Sequence, residues 1–138
     1  MAESIDHFRL VERICEFTKQ IIPRGNSVLM FSDSPDSKNK PPKVINGYIP
    51  DVYYNFDGLM VIGEAKTDND IEREHSLSQY KSYLKEASLF SKKSLIIIGV
   101  SWKSFSTIKN IFRVLIKDID KEHIEIFIIN NLGHECKL

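Results

Sequence analysis

Only two cysteines occur in 138 residues, Cys15 and Cys136, and they stand near opposite ends of the chain. That is too sparse for a disulfide framework or an iron–sulfur cluster, so both are read as free thiols in a reducing compartment. No apolar run approaches the length needed to cross a bilayer, and Met1 to His7 carries acidic charge instead of a hydrophobic leader. A cytoplasmic protein with no membrane contact is the expectation. Net charge is also missing: 19 Lys and Arg balance 19 Asp and Glu. By composition alone this argues against a nucleic-acid partner, because no overall field draws a polyanion. A local basic surface is still compatible, since acidic residues gathered at a metal site offset lysines elsewhere. No glycine-rich phosphate loop, helicase motif or internal repeat is present.

What is present suffices for one hydrophobic core, and one domain over 1–138 is expected. From Ile5 to Ile22 the residues Ile5, Phe8, Val11, Ile14, Cys15, Phe17, Ile21 and Ile22 recur at helical spacing until Pro23 and Gly25 stop the run. Ser27 to Ser32 reads as a short strand, and Asp33 to Gly47, rich in Ser, Pro, Asn and Lys, as a long loop. Two strands, Tyr48 to Tyr54 and Leu59 to Lys66, flank Asn55-Phe56-Asp57-Gly58, where Asp-Gly is a strong hairpin signal. A helix from about Ile71 to Phe90, a fully apolar strand Leu95 to Val100, a helix from about Lys103 to Lys117 and a strand Ile124 to Ile129 complete the chain. The order α-β-β-β-α-β-α-β predicts an α/β fold with a mixed sheet flanked by helices, because helical crossovers deliver parallel strands.

The hairpin has a chemical consequence. With Asp57-Gly58 as a two-residue turn, Phe56 pairs with Leu59, and counting outward sets Asp51 opposite Glu64 with Lys66 on the same face. Facing carboxylates repel unless a cation lies between them. Mg²⁺ takes one or two protein carboxylates and keeps several waters, which Asp51 and Glu64 can provide, with the Ala65 carbonyl completing the set. A cation there would activate water and offset charge on a phosphoryl oxygen, with Lys66 orienting the nucleophile or neutralising the transition state. The same three residues also fit a plain ion pair between Lys66 and a carboxylate on a solvated hairpin.

Pro50-Asp51 on one strand and Glu64-Ala65-Lys66 on the next resemble the PD-(D/E)XK nuclease superfamily. Gln79-Tyr80-Lys81-Ser82-Tyr83 is similar to the Gln-x-x-x-Tyr motif of its RecB-type and related members, and places Gln79 and Tyr83 one helical turn apart. Glu-Ala-Lys looks closer to the resolvase and restriction-enzyme branches, where many RecB-type members have Asp-Tyr-Lys. The resemblance covers about residues 5–100 and implies a restriction-endonuclease-like core, with 103–138 as a helix-strand addition. It further implies Mg²⁺-dependent cleavage of DNA, with Mn²⁺ a possible substitute, in which Asp51 and Glu64 are metal ligands and Lys66, Gln79 and Tyr83 join the catalytic set. Many members add an acidic residue from the first helix; the helical wheel favours Glu12 over Glu3 and Glu16.

Lys38, Lys40 and Lys43 in the long loop, and His75 one turn before Gln79, are candidate nucleic-acid contacts, against the plainer reading of a solvated loop and a surface histidine. His134-Glu135-Cys136 lacks partners at ligand spacing and is not read as a metal site. Tyr80, Leu84 and Ala87 are expected in the core, and Trp102 is expected to pack at a rim in preference to stacking a base. With no separate targeting domain, specificity would come from a homodimer or a protein partner. The rival reading is a catalytically inactive nuclease-like fold that serves as a binding or protein-interaction module; a hydrolase acting on small nucleotides is a third.

Overall fold

A computed structural model describes residues 5–32, 43–90 and 92–138. Helix α1 (Ile5–Ile21) is followed by strands β1 (Phe31–Ser32), β2 (Val52–Phe56) and β3 (Leu59–Ala65). Then come α2 (Glu74–Leu89), β4 (Lys93–Val100), α3 (Phe105–Leu115), β5 (Ile124–Asn130) and β6 (Glu135–Lys137). The six strands form one sheet in sequence order. β1, β2 and β3 pair antiparallel, β3, β4 and β5 pair parallel, and β6 returns antiparallel to β5. The parallel pairs are those joined through α2 and α3, as a helical crossover requires. The protein is thus α/β with a mixed open sheet, and its order is the expected one with β6 added.

β4 is apolar from Leu95 to Val100, where both its faces are covered. Ile96 and Ile98 join Tyr53, Ile62, Tyr80, Tyr83, Ile108 and Phe112 beneath α2 and α3. Leu95 and Ile97 face the other way, against Leu10, Val11, Ile14 and Phe17 of α1. Tyr80, Leu84 and Ala87 are core residues, as expected. Two glycines let α1 approach the sheet closely: a Cβ on Gly63 would stand 2.6 Å from Ile14 Cγ2, and one on Gly99 would stand 3.0 Å from Ile14 Cδ1. Ile14 sits in that recess, which brings the preceding two turns of α1 down onto the ends of β2 and β3.

Several boundaries move. Asn26–Leu29 is a 3₁₀ turn, not strand, leaving two residues of β1 at the sheet edge. The strand expected from Tyr48 begins only at Val52: Ile45 and Tyr48 instead close a tight turn through Asn46 and Gly47, both at positive φ, and Pro50 has no N–H for a ladder. α2 starts at Glu74 because Thr67–Arg73 winds into turns held by the Thr67 hydroxyl on Asp70 (3.1 Å) and by the Asp70 N–H on the Thr67 carbonyl (3.0 Å). α3 is shorter than expected, with 3₁₀ turns at Trp102–Ser104 and Ile116–Asp118. β6 was not expected: three polar residues carry no readable alternation, and His134-Glu135-Cys136 belongs to its hairpin. Asn130 Oδ1 sets that turn by accepting the N–H groups of Leu132 and His134. Both cysteines are free thiols. No helix among the described residues is long and apolar enough to cross a membrane.

Candidate metal centre

Asp57 (φ 52°) and Gly58 (φ 81°) both adopt left-handed backbone, the two-residue turn whose twist matches a β-hairpin. The register is therefore the expected one, from Phe56 opposite Leu59 to Val52 opposite Gly63. One step further, just beyond β2, Asp51 meets Glu64. The Ala65 N–H donates to Asp51 Oδ2 at 2.8 Å and fixes that carboxylate against the end of β3. Beyond Ala65 the Lys66 N–H reaches the Gly99 carbonyl (2.9 Å), which holds Lys66 to β4 and projects it toward α2.

α2 supplies the other wall. Tyr83 donates its hydroxyl to Glu64 Oε1 at 2.8 Å, and Lys66 Nζ donates to Gln79 Oε1. Gln79 and Tyr83, one turn apart, thus each hold one residue of the Glu64-Ala65-Lys66 segment. These groups are not on a solvated hairpin: Asp51 is 5%, Glu64 4%, Lys66 8% and Gln79 8% exposed. Lys66 forms no ion pair with either carboxylate among the described residues; its partner is a neutral amide. The reading of Lys66 as a surface ion-pair residue therefore fails on both counts.

α1 contributes His7, which the sequence reading missed in favour of Glu12. His7 Nε2 lies 3.3 Å from Asp51 Oδ2, and ligand atoms of His7, Asp51 and Glu64 all fall within 4.8 Å of one another. Glu12 is solvent-exposed and outside this group. The correction is geometric. The stripe of α1 that packs on the sheet runs through Leu10, Val11 and Ile14, with His7 in line with it, whereas Glu12 lies about 140° round the helix from His7. The spacing His7, Leu10, Val11, Ile14 was the available signal: one polar residue in an otherwise apolar i, i+3, i+4, i+7 stripe.

Electrostatics separate the two carboxyls. Burial and the neighbouring Asp51 charge push Glu64 well above the ordinary glutamate range. Burial also acts to raise Asp51, but hydrogen bonds from Glu64, His7 and the Ala65 N–H outweigh it and hold Asp51 below its usual value. The two carboxyls are thus driven apart, with Glu64 the one that binds a proton more readily. Burial and the adjacent Glu64 drive Tyr83 upward, so it stays a phenol donor. Two carboxylates and one imidazole form a donor set suited to a divalent cation, and cation binding would displace a proton from Glu64.

The other candidate contacts scatter. Lys43 pairs with Glu86 of α2 at 3.5 Å, and His75 is exposed with its ring edge-on to Tyr48. Lys38 and Lys40 lie outside the described residues. Trp102, expected to pack, is 54% exposed at the start of the β4–α3 connection. Comparison of the chain with protein-family models, with curated proteins and with solved structures finds no match.

Proposed function

We propose that the protein is a metal-dependent nuclease that hydrolyses DNA phosphodiester bonds, built on a PD-(D/E)XK-type, restriction-endonuclease-like core. The observation that carries the reading is the convergence of His7, Asp51 and Glu64 within 4.8 Å, with Lys66 beside them on Gln79. The element order through β4 supports it. Neighbouring buried carboxylates are unfavourable unless a proton or cation separates them, so they mark a site shaped for binding and not for stability.

In this reading Asp51, Glu64 and His7 hold the cation, with the Ala65 carbonyl available beside them. When bound, Mg²⁺ or Mn²⁺ supplies charge against the phosphoryl oxygens and acidifies a coordinated water. The chain's own residues do the rest. The Ala65 N–H fixes the Asp51 carboxylate, and the Tyr83 hydroxyl fixes Glu64 Oε1, so neither ligand rotates away. Gln79 holds the Lys66 ammonium at the edge of the cluster, where its charge meets the attacking water or the developing phosphorane oxygen. The imidazole donor shifts preference from Mg²⁺ toward Mn²⁺ relative to an all-oxygen site.

The test is incubation of the purified protein with linear, circular, single-stranded and branched DNA, with Mg²⁺, Mn²⁺ or chelator. Cleavage of at least one substrate that stops in chelator and in Glu64→Gln and Lys66→Ala variants is expected. Cleavage that persists in chelator or in those variants would sink the reading, and no cleavage of any substrate would favour the interaction module.

A further inference from the structure

The parallel strands β3, β4 and β5 end on one edge of the sheet, so the segments that follow them collect beside the carboxylate pair, where open α/β sheets bind ligands. A cleft of about 450 Å³ opens there, a size ordinary for a small-molecule site. Its lining neighbours the metal centre along the chain: Thr67 follows Lys66, and Asp6 precedes His7. Trp102 and Lys103 line the far side.

Trp102 is exposed yet held in place. Its backbone N–H donates to Asn131 Oδ1 at 2.9 Å. The serines on either side of the Trp102-Lys103 pair, Ser101 and Ser104, both donate hydroxyls to Asp68 Oδ1. These hydrogen bonds lower the Asp68 pKa below the ordinary aspartate value. Lys103 Nζ lies 5.9 Å from the Trp102 ring centre. Three cations face two carboxylates around the cleft; Arg13 is paired with Glu135, while Arg9 and Lys103 form no ion pair among the described residues. An exposed indole on a hydrogen-bonded backbone, with Lys103 at its ring and Arg9 on the same cleft, suits a base stacked on its open face and a phosphate beside it.

We propose that this cleft is a subsite for one unpaired nucleotide next to the scissile phosphate, with its base on Trp102 and its phosphate gripped by Arg9 and Lys103. The inference rests on the nuclease reading and adds that the strand must be single at this position.

Trp102 is the only tryptophan, so tryptophan emission, excited selectively over tyrosine, reports on this position. The full-length protein, kept in chelator so that nothing is cut, is titrated with a short oligothymidylate, the corresponding oligouridylate and a blunt duplex. Quenching by a single strand, weak or absent with the duplex, is expected; the preferred oligonucleotide tells DNA from RNA. By anisotropy, Trp102→Ala should weaken single-strand binding roughly five- to 150-fold, the range for one stacked base, and Trp102→Phe should restore part of it. Equal quenching by duplex, no quenching at all, or unchanged affinity in Trp102→Ala would overturn the subsite. The two readings fail separately: single-strand binding that depends on Trp102 without any metal-dependent cleavage removes the nuclease, and cleavage lost in Glu64→Gln but intact in Trp102→Ala removes only the subsite.

Discussion

Replacing Glu64 by Gln should stabilise the metal-free protein at neutral and alkaline pH while abolishing its metal response. The substitution keeps the side-chain carbonyl that accepts the Tyr83 hydroxyl, and its amide N–H₂ can donate toward Asp51 as the Glu64 proton does. It removes a charge whose oxygens lie within 4.8 Å of those of Asp51. At an effective dielectric of about 20, repulsion at that distance is about 3–4 kcal/mol. The wild type avoids the penalty only while Glu64 keeps its proton. Because the folded-state pKa of Glu64 is raised, its contribution is complete below the ordinary glutamate value and is lost as pH rises through the raised one. Asp51, held low, acts at the other end: its contribution is present above the ordinary aspartate value and is lost as pH falls through the depressed one. Urea unfolding in chelator across a pH series should therefore show wild-type stability declining above the ordinary glutamate range. Glu64→Gln should stay level there and exceed the wild type by up to about 3 kcal/mol at the alkaline end. Adding Mg²⁺ at about a hundredfold excess over its dissociation constant should raise the wild type by about 2.7 kcal/mol and leave the variant unchanged. The reasoning is refuted by a variant about 3–5 kcal/mol less stable than wild type at neutral pH, the cost of breaking a buried ion pair, because Glu64 would then be the partner of Lys66.

Other consequences can be checked independently. His7→Asn should weaken Mn²⁺ binding in calorimetry more than about 100-fold, beyond the roughly 10–100-fold cost of losing an outer-shell contact, and should narrow the Mn²⁺ over Mg²⁺ preference; equal affinities would remove His7 from the ligand set. Lys66→Ala should lower the cleavage rate by about 100-fold or more with metal affinity retained, since its ammonium acts on the developing charge; parallel loss of metal binding would make it structural. Gly63→Ala should cost about 1–3 kcal/mol in urea unfolding and weaken metal binding as well, because its Cβ would press on Ile14 and lift α1, and His7 with it, from the sheet. Tyr83→Phe should cost about 1 kcal/mol and move the onset of metal binding to higher pH, because Glu64 loses a hydrogen bond that favours its charged form; an unmoved onset would contradict the assigned contact.

The parts legible in the sequence were those written in local chemistry. Asp57-Gly58 dictates a left-handed turn, the turn dictates the register, and the register sets Asp51 against Glu64. The apolar run of β4 and the one-turn spacing of Gln79 and Tyr83 were equally direct. His7 was missed because a family habit, an acidic residue on the first helix, displaced the helix's own pattern, in which His7 shares the stripe of Leu10, Val11 and Ile14. The boundaries at Asn26–Leu29 and Thr67–Arg73 depend on hydrogen bonds within turns, which apolar periodicity does not register. The cleft beside Trp102 joins α1 to the ends of three parallel strands, so only the assembled topology brings Arg9 and Lys103 to the same opening.

The central claim is that a divalent cation sits between Asp51 and Glu64 with His7 beside it. Crystals grown or soaked with Mn²⁺ and measured for anomalous scattering locate such an ion directly. One peak is expected, with carboxylate oxygens of both Asp51 and Glu64 and a nitrogen of His7 in its coordination shell, and its absence is expected in Glu64→Gln crystals. A map with no peak at this position, or with Lys66 Nζ bonded to both carboxylates where the ion should be, would contradict the account.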